Sequence, residues 1–322
     1  MRFPLLSLAL SVVVLLSGAT PARAQDQPPP EQLRYKLLTV ARVNPLGLIT
    51  VLDGSYRWRL YGSSNPIFKD NFVGIGGQTV LTPAFFRVGP MLELQPLSIL
   101  YLQTTFEAID FFGSFDFFQS FKFATDYFSD TALDNLASSD DPDVTNYSTS
   151  GTQFSVTGIL RFKLGPIAAR DTFRAGRPDF DLRDGDQLYY DPLWDLLIPD
   201  EGWYINNDVD LLYITDFGLK VGARWTMATA FYDEDRHFPE GVEPTDPNNP
   251  THRVGPFVTY TFDSKSRYFQ DPTLIFIANW WVQHRFRTGE DVTTAFPYVI
   301  LGLTFTGDLF SSGESGEPPT SG

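Results

Sequence analysis

The stretch "TQFSVTGILRFKL", Thr152 to Leu164, sorts into two faces when every second residue is read. Phe154, Val156, Gly158, Leu160 and Phe162 fall on one face; Gln153, Ser155, Thr157, Arg161 and Lys163 fall on the other, with Ile159 the one exception. A period of two marks a strand with one apolar and one polar side. "LKVGARWTMATAFY" behaves likewise, setting Leu219, Val221, Ala223, Trp225 and Met227 against Lys220, Gly222, Arg224 and Thr226. "LIFIANWWVQHRFR" separates Leu274, Phe276, Ala278, Trp280, Val282, His284 and Phe286 from Ile275, Ile277, Asn279, Trp281, Gln283, Arg285 and Arg287.

Working outward, the pattern predicts about twelve strands (10–14 bracket the reading): 36–43, 48–61, 72–81, 84–94, 97–111, 152–164, 167–175, 202–215, 219–232, 252–262, 273–287 and 295–306. Many run ten or more residues, longer than the ~5–6 of ordinary sheets. Tilted strands of ~9–11 residues are what a bilayer requires. The connections alternate in length. Short ones fall at 94–97, 165–166 and 216–218, and long ones at 112–151, 176–201 and 233–251. The links 62–71 and 263–272 are long for the short-turn side.

The ends read differently. "MRFPLLSLALSVVVLLSGATPARA" has a basic start, an apolar stretch and an Ala22-Arg23-Ala24 ending, the form of a secretory signal over 1–24. A Pro-rich leader, 25–33, and a Ser/Gly/Pro tail, 311–322, are expected to be disordered around a barrel spanning 34–310. The chain has 322 residues, no cysteine, three histidines and 15% aromatic residues, 29 of them Phe. That composition leaves little material for a transition-metal site and excludes a disulfide-stapled fold. The formal charge of -15 becomes -17 once Arg2 and Arg23 leave with the signal.

On the signal, the alternation, the loop parity and the aromatic-rich strands, residues 34–310 resemble the bacterial outer-membrane β-barrel proteins. The last stretch, "AFPYVILGLTFTGDLF", resembles their closing strand, although a tail follows Phe310. The resemblance implies an all-β, antiparallel transmembrane barrel in the outer membrane. Its implied partners are the lipid bilayer with lipopolysaccharide, the barrel-assembly machinery, and a small anionic or apolar solute; no nucleic acid and no cofactor are expected.

In a barrel the strand polarity inverts, so the polar list faces the lumen. Arg57, Arg59, Arg161, Lys163, Lys220, Arg224 and Arg285 then point inward with Arg87, Arg170, Arg174 and Arg287, opposed by Asp208, Asp210, Asp53, Glu93 and Glu107. A wet ring of cations favours anions; the same residues could instead fill a twelve-stranded lumen with salt bridges. Both readings stay open here. By parity His284 points toward the membrane and away from any aqueous site.

Chemistry is otherwise sparse. G-x-S-x-G, H-E-x-x-H and P-loop patterns are absent, and no Ser stands at the H-x-S spacing of known barrel enzymes. The chain is therefore expected not to be an enzyme, with a rim-located lipid- or polysaccharide-modifying activity and a structural or surface-binding barrel without flux as alternatives to a passive small-solute pore. The acidic run Asp179, Asp181, Asp184 and Asp186 is a weak Ca²⁺ candidate, because Arg183 and Asp184 break the calcium-loop spacing. "RVGP" occurs twice, at 87–90 and 253–256, where proline predicts a bulge or a strand start. "FFGSFDFFQSFKF", Phe111 to Phe123, packs seven Phe into thirteen residues: a strand extension, a loop folded into the mouth, a lipid-facing girdle or an apolar ligand site.

Overall fold

A computed structural model describes residues 28–113, 118–245 and 248–311. Twelve antiparallel strands close into a barrel. In chain order they are β1 (Glu31–Val43), β2 (Gly47–Trp58), β3 (Phe72–Leu81), β4 (Phe85–Leu97), β5 (Leu100–Phe112), β7 (Ser148–Leu164), β8 (Ile167–Phe180), β11 (Tyr204–Ile214), β12 (Leu219–Ala230), β13 (Thr251–Thr261), β14 (Gln270–Gln283) and β15 (Tyr298–Ser311). Every strand read from the sequence is present. The ring closes because β1 pairs with both β2 and β15, which leaves no free edge.

The faces sort as the alternation requires. Phe106, Phe154, Phe162, Leu211, Phe276, Trp280 and Leu301 stand exposed on the outside, while Glu93, Glu107, Asn206, Asp208 and Asp210 are buried within. Tyr213, Phe217, Phe262 and Tyr268 ring one end and Trp203, Phe231 and Phe296 the other. Among the described residues no helix is long and apolar enough to cross a membrane, so the strands alone could do so.

The connections at one end are 59–71, 98–99, 165–166, 215–218 and 262–269; the other end carries 44–46, 82–84, 113–147, 181–203, 231–250 and 284–297. The expected short turns and long loops thus fall at opposite ends, while 44–46 and 82–84 are short on the long-loop end. What the sequence did not predict is a folded plug in the long-loop mouth. Three short strands, β6 (Ser120–Phe121), β9 (Leu188–Asp191) and β10 (Leu196–Pro199), form a separate sheet, flanked by α1 (Asp130–Ala137) and α2 (Glu234–His237). Its inner face, Tyr189, Leu196 and Ile198, packs with Phe118 against Val80, Phe85, Phe111, Phe180 and Tyr204 of the wall. Its outer face, Leu188, Tyr190 and Leu197, packs under Phe128, Leu133, Phe238 and Phe286. A sheet covered on both faces has no polar alternation to read.

Three expectations change. Strand β1 starts at Glu31, inside the segment 25–33 that was expected to be disordered, and Pro28 and Pro30 accept hydrogen bonds from Arg59. Residues 1–27 and 312–322, with the signal and most of the tail, lie outside the described residues. Of the readings open for the Phe-rich run, the loop folded into the mouth holds: Phe118 and Phe121 are buried in the plug and Phe111 in the wall against it, with 114–117 outside the described residues. The prolines of the two RVGP segments mark neither a strand start nor a register shift. Pro90 and Pro256 pair with Gly77 and Ala223 in strand interiors, and on the other side the ladder is interrupted across Gly89-Pro90 and Gly255-Pro256 with unchanged register. Finally, β14 ends at Gln283. The parity of "LIFIANWWVQHRFR" holds through Val282 and then fails, because residues 284–290 turn over the mouth.

Candidate lumen and plug

Inside the wall lies a cavity of about 1030 Å³, running from Pro28, Pro29, Arg59 and Asn71 at the short-turn end to Leu193 and Trp194 of the plug. Its charged side chains fall into two groups.

The first group is locked. Arg57 grips Glu93 through two bonds, 2.7 and 3.0 Å, and lies over the Phe72 ring. Asp210 accepts from Arg170 at 2.6 Å and from Arg224 at 2.6 Å, and Asp208 accepts from Arg174 at 2.8 Å and Thr226 at 2.7 Å. Two aspartates thus hold three arginines, as buried charges must be held. Arg59 donates to Pro28 O at the rim.

The second group has no such partner. The side chains of Arg161, Lys163 and Lys220 make no hydrogen bond or ion pair among the described residues, and Arg161 and Lys163 are exposed at the short-turn rim. Lys36, Arg87 and Arg253 are likewise unpaired and line the cavity. Lys36 and Arg253 were absent from the sequence reading. The weak alternation of β1 hid the first, and the RVGP turn reading hid the second.

Three expected positions, Arg285, Arg287 and His284, are corrected. Arg285 is not in the lumen; it sits on the long-loop rim, bonded to Glu290 at 3.1 Å and stacked over Tyr127. His284 does not point outward. It is fully buried, with Nε2 3.1 Å from the Asp195 carboxylate and Nδ1 accepting from Phe286 N–H at 3.2 Å. Arg287 beside it donates to Asp195, Asp130 and Asn44, so its fork ties the β9–β10 hairpin to α1 and to the β1–β2 turn. Burial alone would raise the Asp195 pKa, but Arg287 and then His284 overcome it and hold the carboxyl well below the usual range. Arg42, on β1, adds bonds to Pro192 O and Leu193 O. The plug is thereby latched to the wall.

The acidic run does not converge. Asp179 ends β8 opposite Thr152, and Asp186 accepts from Ser120 at 2.5 Å. Among the described residues no three carboxylate or imidazole groups gather as a cation would need.

No family model matches the chain, and no curated protein matches it. Solved structures match over most of the chain, at low identity and low TM-score. The β domain of the Bordetella autotransporter BrkA is 12% identical over 88% of this chain and 100% of that one, with a TM-score of 0.41. The translocator domain of the autotransporter NalP from Neisseria meningitidis is 8% identical over 87% and 89%, with a TM-score of 0.39. The KdgM porin is 7% identical over 84% and 98%, with a TM-score of 0.37.

Proposed function

We propose that this chain is an outer-membrane barrel whose lumen is a passage for small anionic solutes, held shut at the long-loop end by its own folded loops. The bilayer assignment rests on the apolar outer wall between two aromatic rings, a surface that water disfavours and lipid accepts. The passage rests on one observation: among the described residues, the lumen cations without an ion pair, Lys36, Arg87, Arg161 and Arg253 along the cavity with Lys163 and Lys220 at the rim, outnumber the carboxylates without one, Asp53, Asp70 and Glu107. Such a lining admits anions and repels cations. In this orientation the short turns face the periplasm, and the bilayer, lipopolysaccharide and assembly machinery are the partners.

We read the barrel as non-catalytic: both imidazole nitrogens of His284 are engaged in the latch, His237 Nδ1 accepts from Asp233 N–H, and His252 is stacked on Trp225. A barrel without flux is the second reading, supported by the complete burial of Leu188, Leu197 and Ile198 in the plug.

Planar-bilayer conductance separates the two. Wild type should show rare, low-conductance openings with an anion-selective reversal potential. Replacing Arg161, Lys163 and Lys220 together with Glu should move that potential toward cation selectivity. Silence in wild type and in a plug-released variant alike would leave the barrel without flux.

A further inference from the structure

The two RVGP segments occupy equivalent places on opposite walls. Around the ring of twelve strands, β4 and β13 lie six positions apart. Arg87 and Arg253 are each the third residue of their strand counted from the plug end. Each segment uses its glycine in the same way. A Cβ at Gly89 would stand 1.9 Å from Phe106 O, and one at Gly255 would stand 2.1 Å from Ala278 O, so only glycine permits the close strand approach. Each arginine lines the closed end of the cavity, and neither side chain has a hydrogen bond or ion pair among the described residues.

The surroundings are built rather than incidental. The Arg253 guanidinium lies 4.2 Å from the Tyr298 ring centroid and 5.0 Å from that of Trp281. Stacking orients the plane of the fork and leaves its N–H edges for an oxyanion. Asn279, in register with Tyr298, is fully buried on the same wall, and neither its amide oxygen nor its nitrogen has a partner. On the opposite wall Glu107 is buried diagonally across from Arg87, with Oε1 unpartnered.

We propose that Arg87 and Arg253 form an anion clamp at the closed end of the lumen, taking a small polar solute that carries a carboxylate beside hydroxyl groups. The carboxylate meets the Arg253 fork, Arg87 adds positive charge from the opposite wall, and a hydroxyl pairs with the Asn279 amide. This rests on reading the lumen as a solute path and names the solute class that the path retains.

The test is a titration of the purified full-length chain in detergent with D-glucuronate, read by tryptophan fluorescence, since Trp281 touches Arg253. D-glucose and acetate serve as comparators. Glucuronate should bind saturably, with glucose and acetate each at least tenfold weaker. Arg253→Gln, Arg87→Gln and Asn279→Leu should each weaken glucuronate at least tenfold, and Glu107→Gln should tighten it. Arg285→Gln, on the outer rim, should change nothing. Equal binding of glucose, or unchanged binding in both arginine variants, overturns the clamp. Conductance distinguishes the two proposals: anion flux without glucuronate binding removes the clamp and leaves the passage, whereas binding without flux keeps the clamp.

Discussion

Replacing Arg287 with Ala should release the plug. In the native structure the guanidinium bonds to two carboxylates and one amide, and Asp195 is almost wholly buried. Removing the cation leaves the Asp195 carboxylate in the interior beside a histidine whose Nδ1 already accepts from Phe286. Breaking a buried pair by deleting one partner costs about 3–5 kcal/mol, because the remaining charge is uncompensated. At about 1.4 kcal/mol per tenfold, the open-plug population should rise roughly a hundred- to few-thousand-fold. Only the plug feels this loss, since the barrel ladder closes through β1 and β15 without it.

Hydrogen exchange of residues 188–199, followed by mass spectrometry, reads the change directly. Those amides should exchange faster in Arg287→Ala while residues 100–110 of β5 keep their protection. The double variant Arg287→Met with Asp195→Leu removes both charges and should restore most of the protection, because replacing a whole buried pair by apolar groups is often neutral. Native exchange rates at 188–199 in Arg287→Ala would refute the latch.

Two further outcomes test other levels of the reading. Phe106 stands exposed at the middle of β5, opposite Phe154; Phe106→Arg should destabilise the barrel in lipid vesicles by about 2–4 kcal/mol in a denaturant titration, whereas a water-facing surface would tolerate it. The His237 imidazole is held below its usual pKa, first by burial and then by Arg236. A lowered folded value makes its contribution complete above about pH 6.5 and lost as pH falls through the folded pKa. Since Nδ1 accepts from Asp233 N–H at 2.7 Å, α2 should loosen on moving from pH 7.5 to 5, and His237→Asn should remove that dependence in the same exchange experiment.

The barrel was legible because each wall strand faces two different media, which writes a period of two into residues such as 152–164. The plug was not. "LYYD" and "LLIP" are buried on both faces, so they lack alternation, and their length of four falls below what a pattern can resolve. His284 was misplaced for a related reason: parity is a property of a continuing strand, and β14 stops one residue before it. The nearby RVGP repeat was visible as letters, but its meaning depends on which strands lie opposite each other after closure.

The sequence likewise supplied a basic lumen without saying which cations are free, because pairing is a matter of register between strands far apart in the chain. Asp210 stands directly between Arg170 on one neighbour and Arg224 on the other, so one carboxylate holds two guanidinium groups. Arg161 faces Arg170 across the β7–β8 pair, a like charge already engaged by Asp210. Lys163 meets Ala168, and Lys220 meets Thr259 and Ile214. A shift of one residue in β11 would turn Asp208 and Asp210 to the outer face and leave Arg170, Arg174 and Arg224 without their counter-charges. The register thus decides both things at once: it neutralises the middle of the wall, which lets the barrel close, and it leaves uncompensated positive charge at the rim, where an entering anion first meets the protein.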